Sequence, residues 1–320
     1  MNREAPSNGS TGDRGQPHPP LMTLFRLAGP RIENWLAWLP LCVLPLLVTA
    51  LRARLPAWGF MWALALALFV GFKWLTWRRA RAAGIEASLE RSLAYLLLWP
   101  GMDAEAFLNS LRRPSPPTLL AWFIAATQTL LGAFLLWGAA RAIPDRFDLL
   151  KGWVGLAGLG FILHFGTFQL IALFWQRVGV DARPIMDSPL RASSIGGFWG
   201  SRWNSAFRHL SHRLVFQPVR GRIDSRAAVL VAFLASGVVH ELVISVPAGS
   251  GFGLPTAYFL IQGLGVLVER SKLQKRLGLS IRPIGWIFTM VCAAGPAYWL
   301  FHPAFITRVA IPFLAAIGAL

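Results

Sequence analysis

Ala227-Ala-Val-Leu-Val-Ala-Phe-Leu-Ala-Ser-Gly-Val-Val-His240-Glu241-Leu-Val-Ile-Ser-Val-Pro247 decides how this chain is read. From Ala227 to Val239 every residue is apolar or small, and about 20 such residues suffice to cross a bilayer as a helix. His240 and Glu241 then appear together at membrane depth, where inserting a charged side chain costs roughly 2.5–3.5 kcal/mol on insertion scales. Such a pair needs a partner, a cavity or a reaction. A histidine satisfied by a neighbouring helix, with Glu241 in a polar pocket, is the structural alternative to a reactive site.

The rest of the 320 residues agrees with a membrane setting. Hydrophobic residues make up 55%, mean hydropathy is +0.52, and only 14% are charged, against about 25% in an average soluble domain. An ordinary soluble enzyme is excluded. The net charge of +17 lies between the apolar runs, which reads as membrane topology and headgroup attraction and not as nucleic-acid binding. Cys42 and Cys292 both fall inside apolar runs and imply neither a disulfide framework nor a metal site. The first 30 residues read as a loosely ordered tail without the pattern of a cleavable signal peptide, leaving residues 31–320 as a single membrane domain.

Eight apolar runs have spanning character, near 35–51, 57–77, 118–138, 153–176, 226–246, 252–269, 284–301 and 304–319. Leu89–Trp99 is too short and reads as re-entrant or interfacial. Under this count the arginines around 78–113, the nine arginines of 177–226 and the basic segment 270–282 share one face, which the positive-inside rule makes cytoplasmic together with both termini. A ninth crossing at 89–99 would invert everything before it. The expected fold is therefore all-α, a multi-pass helical bundle of about eight to nine transmembrane helices. The Ala- and Arg-rich composition points to a bacterial inner membrane.

The largest connector carries the second candidate region. Trp199, Trp203, Phe207, Leu210 and Leu214 recur at spacings of three and four and share one helical face, while Arg202, Arg208, His209, His212 and Arg213 occupy much of the remainder. This predicts an amphipathic helix at the membrane interface. A headgroup anchor accounts for the pattern by itself. Asn204 offers more, because an amide both donates and accepts, and nearby arginines suit the phosphates of an anionic acyl donor such as coenzyme A.

Together these residues describe an acyl-transfer site. His240 can take a hydroxyl proton near neutral pH, and an amide donor can stabilise an oxyanion. Neighbours on a helix point about 100° apart, so Glu241 does not pair with His240 directly; Ser236, one turn earlier, is the better local partner. His240 lies about 21 Å along its helix from Arg226, so the donor's thioester must reach it through an internal tunnel. Residue 244 is Ile, which removes the second histidine of a zinc helix, and no Gly-x-Ser-x-Gly occurs. No metal ligand is assigned. His164, Gln128, Gln169 and Gln262 are also intramembrane polar groups; His164 reads as structural, and helix–helix hydrogen bonding accounts for the three amides.

Phe198-Trp-Gly-Ser-Arg-Trp-Asn204, a basic amphipathic stretch, and Ser236-Gly-Val-Val-His240-Glu241 follow one another with 35 residues between Asn204 and His240. This arrangement resembles the membrane-bound O-acyltransferase superfamily, and within it the wax synthase branch, as do Leu97-Leu-Trp-Pro-Gly-Met-Asp103 and Gly179-Val-Asp-Ala182. Val243-Ile-Ser-Val-Pro247 is similar to sterol and diacylglycerol acyltransferases. The resemblance covers about residues 90–300. It implies His240 as catalytic base, Asn204 as the second catalytic residue, acyl-CoA as co-substrate with no other cofactor, and a lipid hydroxyl as acceptor. Asn204, where glycan-acetylating members carry His, favours the lipid. Phe198, Trp199, Arg202, Trp203 and Arg208 are expected at the donor entrance, with Glu241 and Ser236 as possible support. The alternatives are an acetyl or short-chain transferase acting on a glycan or small molecule, and a non-catalytic lipid-binding or transport protein.

Overall fold

Long apolar runs form the long helices. The computed structural model describes residues 35–320; the tail expected over residues 1–30 lies outside them. The described residues are helical with no strand. Five helices are long and apolar enough to cross a membrane: α2 (Ala57–Ala82), α3 (Leu119–Ala142), α4 (Asp145–Arg177), α5 (Ser225–Ala248) and α7 (Arg282–Leu300). Three shorter apolar helices complete the set, α1 (Leu39–Ala50), α6 (Leu254–Glu269) and α8 (Pro303–Ala316). Each of the eight apolar runs thus forms an apolar helix. Residues 89–98 form only ten residues of helix before extended backbone at Trp99. At 1.5 Å per residue that is about 15 Å, half the hydrocarbon thickness.

Small residues set the helix crossings. A Cβ on Gly132 would lie 2.7 Å from Ile162 N, and one on Gly166 would lie 2.3 Å from Thr129 Oγ1. The backbones of α3 and α4 therefore run almost in contact, as small-residue interfaces allow in membranes. Gly237 of α5 meets Thr256 of α6 in the same way, with a Cβ position 2.7 Å from the Thr256 Cα.

The segment 89–108 is tied down from α2. Lys73, 1% exposed, donates from Nζ to the Gly101 carbonyl at 2.8 Å and lies 3.2 Å from the centre of the Tyr95 ring. The Tyr95 hydroxyl in turn bonds Thr76 Oγ1 at 2.7 Å. Tyr95, Trp99, Phe107 and Leu108 then close a core with Ala80 and Ala172.

The connector 178–224 departs from the sequence expectation. Its helix is broken at Asn204, which stands at φ 44° between the turns Phe198–Arg202 and Ser205–Leu210. Left-handed backbone interrupts an α-helix, and asparagine tolerates it better than most residues. The two halves also pack into protein. Ala206 and Leu210 are buried with Met102 and Ile185 against Phe69 and Phe72 of α2 and Phe168 of α4. Farther along, Glu269 at the end of α6 accepts from the amides of Ile195 and Gly196 and anchors the connector there.

Candidate active site

His240 sits on α5, which Asp224 starts by accepting from Arg226 N at 2.8 Å. Its Nδ1 lies 2.7 Å from the Ser236 carbonyl oxygen. A carbonyl only accepts, so Nδ1 carries the proton and Nε2 presents its lone pair. Nε2 has no hydrogen-bond partner among the described residues. The ring packs 4.3 Å from Phe259 of α6 and 5.9 Å from Phe207 of the connector. Ser236 is thus the local partner, but through its main chain; its hydroxyl donates to Ala232 O at 3.0 Å.

Asn204 reaches the same place through one residue. Its Oδ1 accepts from Phe207 N at 3.1 Å, capping the short helix 205–210 whose Phe207 ring faces His240. Its Nδ2 is left without a protein partner among the described residues. A strained φ and an open amide donor, one turn from the Phe207 that packs on His240, is the arrangement functional sites tolerate at some cost in stability.

Glu241 points away from the histidine, as helical geometry requires. Oε1 accepts from Gly253 N at 2.9 Å, Thr256 N at 3.1 Å and Thr256 Oγ1 at 3.0 Å. It therefore caps α6, the helix that carries Phe259. This contact joins residues 12–15 positions apart and has no signature in local spacing.

The five residues expected at the donor entrance divide. Phe198 is buried and stacks on Trp203 at 5.4 Å. Trp199 donates from Nε1 to Gln262 Oε1 at 3.1 Å and packs on Phe259. Arg202 donates to the Asp187 carbonyl at 3.1 Å. Arg208 alone of the five lines a cavity of about 690 Å³, together with Met186, Ser205 and Ala206. His240 and Asn204 do not line it. The turn 204–207 separates it from His240, with Ser205 and Ala206 on the cavity side and the Phe207 ring on the other.

Beside Arg208, His209 forms a small charged cluster. Arg208 Nη2 lies 2.7 Å from His209 Nε2, and Asp103 Oδ2 lies 3.7 Å from Nδ1. Arginine only donates, so Nε2 accepts and the ring is neutral. Burial, reinforced by Arg208, Arg213 and Arg183 and opposed by Asp103, holds the His209 pKa below its usual 6.5. Arg213 pairs with Glu105 at a second, smaller pocket that His209 and Asp103 also line.

Of the other polar groups inside the spans, Gln262 behaves as expected, donating to the Cys292 carbonyl at 2.7 Å and accepting from Trp199. His164 packs edge-on against Phe168 of the same helix, with ring centres 5.6 Å apart. Gln128 and Gln169 depart from the helix–helix expectation: neither has a hydrogen-bond partner among the described residues, and both line the cavity. The small-residue crossing of α3 and α4 leaves no carbonyl or hydroxyl bonded to either amide. Lys73 and Glu269 were not singled out from sequence; a lone lysine in an apolar run was the available signal for Lys73. No group of His, Cys, Asp or Glu among the described residues has the geometry to hold a metal ion.

Comparison with known proteins agrees with the resemblance read from sequence. Residues 182–261, which hold both Asn204 and His240, match the Membrane bound O-acyl transferase family. Probable long-chain-alcohol O-fatty-acyltransferase 7 of Arabidopsis thaliana is 31% identical over 144 residues, 40% of this chain and 42% of that protein. The Long-chain-alcohol O-fatty-acyltransferase of Simmondsia chinensis is 38% identical over 74 residues, 20% of this chain and 21% of that one. Acyl-CoA--sterol O-acyltransferase 1 of Arabidopsis thaliana is 29% identical over 155 residues, 44% of this chain and 45% of that one. The chain thus spans less than half the length of each of these three relatives.

Proposed function

We propose, from the match of residues 182–261 to the Membrane bound O-acyl transferase family and the similarity to long-chain-alcohol O-fatty-acyltransferases, that the chain transfers a long-chain acyl group from acyl-CoA to a lipid hydroxyl. The observation that carries the reading is the state of His240: Nδ1 committed to the Ser236 carbonyl, Nε2 open, and the rings of Phe259 and Phe207 packed against the imidazole. Nε2 accepts the hydroxyl proton as the oxygen attacks the thioester carbonyl. The tetrahedral intermediate expels the thiolate, which takes the proton from the imidazolium and leaves as the free thiol. The open Nδ2 of Asn204 is the donor for the transient oxyanion.

In this reading the face bearing residues 178–224 is cytoplasmic, where the donor is soluble. Purified protein incubated with labelled long-chain acyl-CoA and acetyl-CoA, across alcohol, diacylglycerol and sterol acceptors, tests the proposal. Ester formation from the long-chain donor is expected, and its loss in His240→Ala. Transfer from acetyl-CoA alone would reassign the substrate class, and no transfer from either donor would make the chain a lipid-binding protein.

A further inference from the structure

The 690 Å³ cavity has two chemically different ends. Its charged lining, including Arg183, Arg191 and Arg208, comes from the connectors. Its other end is built from two helical stripes, Ala121, Ile124 and Gln128 on α3 and Phe161, Phe165 and Gln169 on α4. Spacings of three and four place each trio on one face. Gly166, seated against Thr129, brings the two stripes side by side. The volume and lining suit a small amphiphile, since ligand pockets pair apolar walls with a few placed polar groups.

Gln128 and Gln169 are the polar groups of the span-facing half, and their amides have no protein partner among the described residues. Both side chains are part-exposed and open onto the cavity, whereas the fully buried Gln262 has both ends of its amide paired within the protein. The span-facing stripes carry no ion, so they do not compensate a charged headgroup. A hydroxyl needs a donor and an acceptor, and two amides lining the same end of one cavity offer both.

We propose that Gln128 and Gln169 hold the hydroxyl of a single-chain neutral lipid in this cavity. They form a docking position on the far side of the 204–207 turn from His240. Naming that lipid the acyl acceptor rests on the acyltransferase reading; its binding does not.

The test uses the full chain in phosphatidylcholine nanodiscs with two photoreactive probes, a diazirine-bearing hexadecanol and the matching hexadecane. The alcohol should label peptides 119–142 and 145–177 in the wild type and in His240→Ala. Gln128→Leu and Gln169→Leu should each lower that labelling at least fivefold while labelling by the hydrocarbon stays unchanged. Alcohol labelling that survives in both variants overturns the proposal, as does a hydrocarbon that labels the wild type equally well. In turnover assays both variants should raise the KM for hexadecanol while leaving kcat and the donor KM unchanged. A wild type that labels with the alcohol but transfers no acyl group would refute the acyltransferase reading and keep the binding site.

Discussion

Glu241 is adjacent to the proposed base, and the structure makes it a helix cap, so its replacement separates stability from chemistry. Glu241→Ala removes an acceptor from two backbone amides and one hydroxyl at the start of α6. Loss of a helix cap costs about 1 kcal/mol, and each hydrogen bond to a charged group contributes roughly 1.5–3 kcal/mol. Solvent reaches Gly253 and replaces part of what is lost, because that residue lies at an open turn. The expected destabilisation is about 2–4 kcal/mol. Glu241→Gln keeps an acceptor oxygen at the same reach and should lose at most half as much. Thermal unfolding in detergent, read by size-exclusion recovery, measures both variants; acyl transfer is then compared per mole of monodisperse protein. Both variants should turn over near the wild-type rate once corrected for folded protein. An alanine variant that melts like the wild type but has lost turnover would refute the capping argument and place Glu241 in the reaction.

Other substitutions test the neighbouring residues. Asn204→Asp keeps the cap on Phe207 N but replaces the open Nδ2 donor with an acceptor, so the protein should fold and lose most of its turnover, checked by activity alongside melting. Asn204→Ala gives up the cap and leaves the left-handed backbone without the side-chain hydrogen bond that eases it, and should cost about 2 kcal/mol of stability in the same melting assay. Lys73→Met strands the Gly101 carbonyl, a loss of about 1–3 kcal/mol, measurable as faster proteolysis within 89–108. His209 is held neutral in the fold, with its pKa below 6.5. The unfolded chain therefore binds the proton more readily, so this contribution is present above pH 6.5 and is lost as pH falls below it. A pH series of melting temperatures should flatten in His209→Gln.

The eight apolar runs were legible because spanning helices must satisfy their own backbone and show apolar faces to lipid, which hydropathy records directly. Asn204 and His240 were legible as unusual residue types at a fixed interval. What escaped the sequence depends on which neighbour arrives. Gln128, Gln169 and Gln262 look alike in their runs, yet only Gln262 meets Trp199 and Cys292. The aromatic stripe from Trp199 to Leu214 has a continuous helical period, and nothing in that period marks the break at Asn204. Nor does it show that Ala206 and Leu210 face α2 and α4. The cap Glu241 provides is set by the meeting of α5 and α6 at Gly237 and Thr256, which no local pattern announces.

His240 takes its orientation from the carbonyl of residue 236, and a carbonyl is supplied whatever amino acid is encoded there. The device has no side chain of its own to lose. Ser236→Ala should leave the tautomer, and with it any reactivity of Nε2, as it is. Selection at this position would therefore act on size, because Ser236 is packed inside the bundle, and the histidine would keep its alignment through sequence drift in the turn beneath it.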